Sequence, residues 1–100
     1  MKTKGGYVYI MSNKSRSVLY IGVTSNLYRR AYDHRNLEGS IFTKWYKCTD
    51  LVYYEFYDRI VSAIKREKQL KKWNRLWKDR MIKRFNPELK DLSDTIEDMN

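Results

Sequence analysis

The feature that most constrains this chain is a pair of aromatic, β-branched runs lying close together near its start. Tyr7-Val8-Tyr9-Ile10-Met11 and Val18-Leu19-Tyr20-Ile21-Gly22-Val23 are separated only by the polar stretch Ser12–Ser17. Both have the composition of strands, and so short a connection joins two strands as an antiparallel hairpin. Side chains alternate along a strand, so Tyr7, Tyr9 and Met11 share one face, as do Val18, Tyr20 and Gly22. Where those faces coincide, the hairpin brings Tyr9 and Tyr20 together. Gly22 then leaves space where a ligand or another backbone can approach. Taken singly, each tyrosine is an ordinary strand former.

Beyond the hairpin, Thr24-Ser25-Asn26 supplies N-cap chemistry for a helix through about Arg35. The stretch Asn36–Thr49 contains Gly39 and reads mostly as loop, with a short helical turn near Thr43–Tyr46. Leu51–Tyr57 is the third strand. Asp58 is expected to cap a helical pattern that begins near Arg59 and carries Ile60, Ala63, Ile64, Leu70, Trp73, Trp77, Met81 and Ile82. Asn74 marks a break into two helices, and Asn86-Pro87 ends the second. The order β-β-α-β-α-α predicts a mixed α/β (α+β) fold: a small three-stranded antiparallel sheet flanked by helices. One domain is expected over residues 1–90, with residues 91–100 as a frayed tail that is acidic through Asp91, Asp94, Glu97 and Asp98.

A net charge of +9 and a pI near 9.7 favour a polyanionic partner, of which nucleic acid is the commonest. The charge is concentrated late in the chain, in Lys65, Arg66, Lys68, Lys71, Lys72, Arg75, Lys78, Arg80, Lys83, Arg84 and Lys90. Only Glu67, Asp79 and Glu88 oppose it there. The absence of a membrane-length apolar run or a secretion signal, with Cys48 as the lone cysteine, leads to the expectation of a cytoplasmic protein without membrane contact. One histidine and one cysteine are too few for a structural zinc site or an HNH-type metal centre. Neither a G-x4-G-K-[ST] phosphate loop nor a G-x-S-x-G elbow occurs.

Polar groups fall where the helical patterns call for apolar ones. Successive helix residues rotate by about 100°. With Ile60 at the centre of the second helix's buried face, Ile64 lies about 40° to one side, Ala63 about 60° to the other, and Glu67 about 20° from the centre. An ionised carboxylate placed there needs a cation: Lys71 one turn on, a core arginine, or a metal. In the first helix, with Leu27 central, Ala31 is about 40° away, His34 about 20° and Arg30 about 60°, while Arg29 points outward. A lone histidine on such a face is most often a satisfied core residue. A buried arginine must find anions, and its planar fork suits phosphate.

Tyr7-Val8-Tyr9, Tyr20-Ile21-Gly22, Arg30, His34 and Glu67, in this order and spacing, resemble the GIY-YIG nuclease superfamily. That superfamily includes the N-terminal nuclease domain of the excision-repair protein UvrC. The resemblance spans roughly Tyr7 to Pro87 and is strongest to small stand-alone bacterial members, through YVYI, YIGVT, RR-x3-H and REKQLKKW. Two positions depart from the excision-repair pattern. Tyr7 replaces the opening glycine, and Val23 stands where those relatives carry a lysine, for which Lys44 is the available substitute.

The resemblance implies a divalent-metal-dependent endonuclease that hydrolyses DNA phosphodiester bonds with low sequence specificity, in repair or processing. The alternative it leaves is a non-catalytic module that binds DNA or RNA. Glu67 is implied as the sole protein ligand of one Mg²⁺ or Mn²⁺, an arrangement that suits an ion keeping most of its waters. Arg30 is implied to clamp phosphate oxygens, Tyr9 or Tyr20 to activate water, and His34 to relay a proton or hold a phosphate. Lys44, Lys68, Lys71, Lys72 and Arg75 are expected to contact the nucleic-acid backbone. The chain is expected to act as a monomer, or at most a weak dimer.

Overall fold

The strand Gly6–Ser12 (β1) is buried from end to end because it forms the centre of the sheet. It pairs antiparallel with Leu19–Thr24 (β2) on one side and with Asp50–Tyr57 (β3) on the other, giving the order β2-β1-β3. These elements come from a computed structural model that describes residues 5–96. Met1–Lys4 and the end of the expected tail, residues 97–100, lie outside the described residues.

Between β2 and β3 run two helices, Leu27–Arg35 (α1) and Ile41–Trp45 (α2); after β3 come Ile60–Lys72 (α3), Arg75–Phe85 (α4) and a closing 3-10 turn, Ser93–Ile96. The expected three-stranded antiparallel sheet with flanking helices is therefore the architecture found. α2 is the expected short helical turn, and its start is earlier than anticipated because Ser40 caps it: the Ser40 hydroxyl accepts from Thr43 N–H at 3.2 Å. Asn26 caps α1 by accepting from Arg29 N–H at 3.0 Å. Asn74 both breaks the long helical pattern and caps α4, accepting from Trp77 N–H at 2.9 Å. The expectation for Asp58 fails. Arg59 is the residue preceding α3 and no side chain caps this helix.

Alternation along β1 sends its side chains into two separate cores. Tyr7, Tyr9 and Met11 join Leu27, Ala31, Cys48, Leu51 and Ile96 on the α1 side. Val8 and Ile10 join Ile21, Val52, Tyr53, Ala63, Leu70 and Ile82 on the α3–α4 side. A small domain gains most of its stability from such burial. The Ile96 side chain is fully buried among the first group, which corrects the expectation of fraying from residue 91. Asp91 accepts from Leu51 N–H at 3.0 Å and from Ser93 O–H at 2.6 Å, and Leu92 N–H donates to Leu51 C=O at 2.7 Å. Acidic composition there conceals an apolar anchor and a specific backbone partner. Among the described residues no helix is long and apolar enough to cross a membrane.

Candidate active site

The pairing register places Tyr9 directly opposite Gly22, with Tyr20 one step along opposite Met11. Tyr9 and Tyr20 therefore meet diagonally on the α1 face, their ring centroids 6.3 Å apart. The space at Gly22 is filled from within. A Cβ there would lie 2.5 Å from Cζ and Oη of Tyr9, so the glycine admits the Tyr9 ring, where a ligand or another backbone had been expected.

α1 turns Leu27, Ala31 and His34 into the core and leaves Arg30 at its rim, as the rotation argument requires. The His34 ring lies 5.6 Å from Tyr9 and 5.5 Å from Tyr20. Its Nε2 is 3.0 Å from the Tyr9 hydroxyl and its Nδ1 3.0 Å from Thr43 Oγ1. The Thr43 hydroxyl donates its one hydrogen to the Ser40 carbonyl at 3.0 Å. That assigns the tautomer: Nδ1–H of His34 donates to Thr43, and its Nε2 lone pair accepts from Tyr9 O–H. Gly39 guards this end of the chain, because a Cβ there would collide with His34 Nδ1. Sequence reasoning missed Ser40, Thr43 and Gly39, which sit in a stretch without periodicity.

Burial pushes the His34 pKa down to about 4, with the Arg30 charge acting the same way. The ring is thus neutral at pH 7. It can accept a proton, but it is no cationic phosphate holder. Burial likewise drives the Tyr9 phenol up to about 12, against the opposing influence of Arg30. Burial works to lower the Arg30 pKa, but its interactions with the phenols of Tyr9 and Tyr20 and with Asp33 raise it overall. Asp33 is its only ion partner among the described residues, at 3.9 Å. Weak pairing of this kind leaves a guanidinium available for an oxyanion.

Glu67 stands on α3, and its charge acts to raise the Tyr9 pKa. The buried stripe of α3 runs through Ala63 and Leu70, so Ile64 lies at its margin and is 36% exposed. Glu67 consequently sits at the stripe's edge, half-buried, and pairs with Lys71 at 3.3 Å. Of the cations the sequence offered it, the pairing with Lys71 is the one realised. Its neighbour Arg66 also turns toward the sheet. It binds Glu55 of β3 at 3.1 Å, and Glu55 also accepts from the hydroxyls of Tyr53 and Tyr57.

The basic residues divide. Lys44, Lys68, Lys71 and Lys72 are exposed. Arg75 is exposed but engaged: it donates to the Ser17 carbonyl at 2.8 Å, to the Arg16 carbonyl at 2.5 Å, and to Asp79 at 2.8 Å. Its guanidinium fastens α4 to the hairpin turn. Val23, alternating with Gly22, packs among the α3–α4 core residues, where a charged side chain would be costly.

A model of the GIY-YIG catalytic domain matches residues 5–80. The chain belongs to the GIY-YIG family. It is 37% identical over 83 residues to a UPF0213 protein of Syntrophus aciditrophicus, covering 82% of this chain and 93% of that one. A UPF0213 protein of Clostridium perfringens is 40% identical over 76 residues, covering 76% of this chain and 81% of that one. One from Staphylococcus saprophyticus is 36% identical, covering 76% and 92% respectively. No solved structure matches. Membership of this family implies a nuclease-type domain. Among the described residues of this GIY-YIG domain, no three His, Cys, Asp or Glu side chains gather into a metal-binding group. A resident ion would have to be one content with fewer than three such ligands from these residues. Glu67, half-buried and paired among the described residues with the exposed Lys71, has the chemistry for that.

Proposed function

We propose that this GIY-YIG domain is a divalent-metal-dependent endonuclease that hydrolyses phosphodiester bonds in DNA with little sequence preference, in repair or processing. The observation that carries the reading is the meeting of Tyr9, Tyr20, Arg30 and His34 on one sheet face, with Glu67 brought into electrostatic contact from α3.

Glu67 would hold one Mg²⁺ or Mn²⁺, which when bound supplies positive charge for the phosphate and the leaving 3′-oxygen. Arg30, weakly paired, binds a nonbridging phosphate oxygen and stabilises the charge that grows there. Tyr20 is the half-buried phenol and the one a solvent water can reach, whereas Tyr9 is 1% exposed. Tyr20 therefore orients the attacking water and takes its proton as the water oxygen bonds to phosphorus and the P–O3′ bond breaks. General-base action by a phenol calls for its phenolate form, which a neighbouring cation favours. Tyr9 is a positioning residue: its donated bond holds the His34 ring oriented between the phenols and Thr43. The exposed Lys44, Lys68, Lys71 and Lys72 contribute backbone attraction that is blind to sequence.

The test is cleavage of supercoiled, nicked, branched and single-stranded DNA by wild type and Glu67→Ala, in Mg²⁺, Mn²⁺ or EDTA. Metal-dependent cutting lost in the variant is the expected result. Equal binding by both proteins with no cutting in any condition overturns the enzymatic reading in favour of a binding module. RNA competitors that displace DNA with higher affinity overturn the choice of DNA.

A further inference from the structure

On the sheet face away from the two phenols, α3 and α4 enclose an open cavity of about 350 Å³ lined by Arg66, Trp73, Trp77, Arg80, Met81 and Arg84. It falls in the size range of sites for small organic groups. Its walls are unusual for a merely solvated face. The Trp73 and Trp77 rings stand edge to face, 5.9 Å apart at 87°, and form a corner. Trp77 is 52% exposed, a large aromatic surface to leave in water.

The charges around this corner are ordered. Arg66 lies over the Trp73 ring at 5.1 Å and is held by Glu55, so it is a fixed wall whose charge is already met. Arg80 and Arg84 are one helical turn apart on the same side of α4 as Trp77. Among the described residues no carboxylate lines the cavity to neutralise them, and Asp79, the nearest acid in sequence, is turned to Arg75. The corner thus offers an exposed π-face, a soft thioether at Met81 and two cations without an acidic partner among the described residues. Phosphates of a duplex would satisfy the arginines but not the indoles, because a duplex keeps its base faces stacked. Unpaired nucleotides present a base face and a phosphate together.

From this we infer that the Trp73–Trp77 corner with Arg80 and Arg84 is a second nucleic-acid site that takes an unpaired base and its flanking phosphates from a single strand. It lies outside the group of phenols, Arg30, His34 and Glu67. It holds whether or not the chain cuts DNA, and its consequence for a cutting enzyme is a preference for substrates with a single-stranded arm.

The experiment measures fluorescence anisotropy of a labelled single-stranded 12-mer, and of the same sequence as a blunt duplex, in EDTA so that cleavage cannot intervene. Trp77→Ala is expected to weaken single-strand binding about tenfold, the loss of one base-on-aromatic stack, and to change duplex binding less than twofold. Trp77→Phe, which keeps a ring, should retain most of the affinity. In Arg80→Ala/Arg84→Ala the slope of log K against log salt should fall by about 1.4, two single-strand phosphate contacts. All these positions are at the surface, and circular dichroism verifies that each variant is folded. Unchanged single-strand affinity in both the Trp77→Ala and the double-arginine variants overturns the proposal. Equal losses on single strand and duplex overturn it too, since that pattern marks general phosphate attraction. A concentration-dependent dimer by light scattering that Trp77→Ala abolishes would reassign the corner to a second copy of the chain. Because no metal or cutting is needed, failure here is separable from failure of the nuclease reading.

Discussion

Replacing Gly22 with alanine sets backbone propensity against packing, and the two call for opposite results. No glycine of this chain has a positive φ among the described residues, so alanine can adopt the local conformation. On chain entropy alone it should stabilise the strand by about 0.5–1 kcal/mol. The added Cβ, however, would lie 2.5 Å from Cζ and Oη of Tyr9. A ring 1% exposed, fenced by β1 and α1, must shift by roughly an ångström to restore van der Waals contact. Such overpacking costs about 1–3 kcal/mol. Moving the phenol also strains or breaks its bond to His34 at 3.0 Å. Leaving that buried pair unsatisfied costs about 1–3 kcal/mol more. The net is a destabilisation of about 3 kcal/mol, with a range of roughly 1–5. For a domain of this size that lowers Tm by about 10–20 °C. Thermal melts and urea titrations of the two proteins decide it. A Gly22→Ala protein as stable as wild type, or more so, would falsify the claim that the glycine exists to admit Tyr9.

Three further outcomes follow from individual contacts. His34 is held at a pKa of about 4, below its ordinary 6.5, by burial and the Arg30 charge. The unfolded chain therefore takes up the proton first, and His34 stability is full above pH 6.5 and is lost as pH falls toward 4. Between pH 6.5 and 5 the loss should be on the order of 2 kcal/mol. Urea titrations at pH 7 and pH 5 should show it in wild type and not in His34→Gln; equal slopes refute it. Glu55→Ala leaves Arg66 and the Tyr53 and Tyr57 hydroxyls without their common acceptor. It should cost about 2–4 kcal/mol in chemical denaturation, and a change under 0.5 would show that water replaces the carboxylate. Ile96→Ala, at a fully buried position, should cost about 2–4 kcal/mol by the same measurement, whereas a frayed tail would show no effect.

The rotation argument found Arg30, His34 and Glu67 because each lies on a helix whose other residues, Leu27 and Ala31 or Ala63 and Leu70, announce the buried direction. It misjudged α3 by centring on Ile60. The helix meets the sheet along Ala63, whose small side chain permits close approach, and Ile64 is displaced to the margin. The hairpin and the residues sharing each strand face were legible in the alternation, but the register and the tenant of the Gly22 space were not, since a missing side chain does not say what replaces it. Thr43 and Gly39 were invisible for a different reason. Their importance comes from contacts with His34 across the turn between α1 and α2, and contacts of that kind leave no periodic trace. Glu55 and Arg66 are likewise joined across distant segments. The residues after Lys90 were misread because composition averages over a segment, while Ile96 acts as a single buried anchor.

The two phenols carry the proposed chemistry in different ways, and removal of each hydroxyl separates them. Tyr9 is part of the core, and its O–H is bonded to a buried ring nitrogen. Tyr9→Phe leaves that nitrogen unpaired and should cost about 1–3 kcal/mol of stability. Tyr20 is half-buried, packed against Phe42 at 5.9 Å and His34 at 5.5 Å. Tyr20→Phe keeps both ring contacts and should alter stability by less than about 0.5 kcal/mol. Cleavage should respond in the reverse order. Loss of the group that receives the water proton is expected to slow turnover by about 10²–10⁴ at unchanged substrate affinity. Loss of the positioning bond should slow it less and shift the pH–rate profile, because His34 is no longer held as an acceptor. Rates measured well below the melting temperature of the weaker variant keep folding out of the comparison. If Tyr9→Phe abolishes cleavage while Tyr20→Phe retains it, the buried phenol reaches the water through a rearrangement, and the roles assigned to the two residues are exchanged.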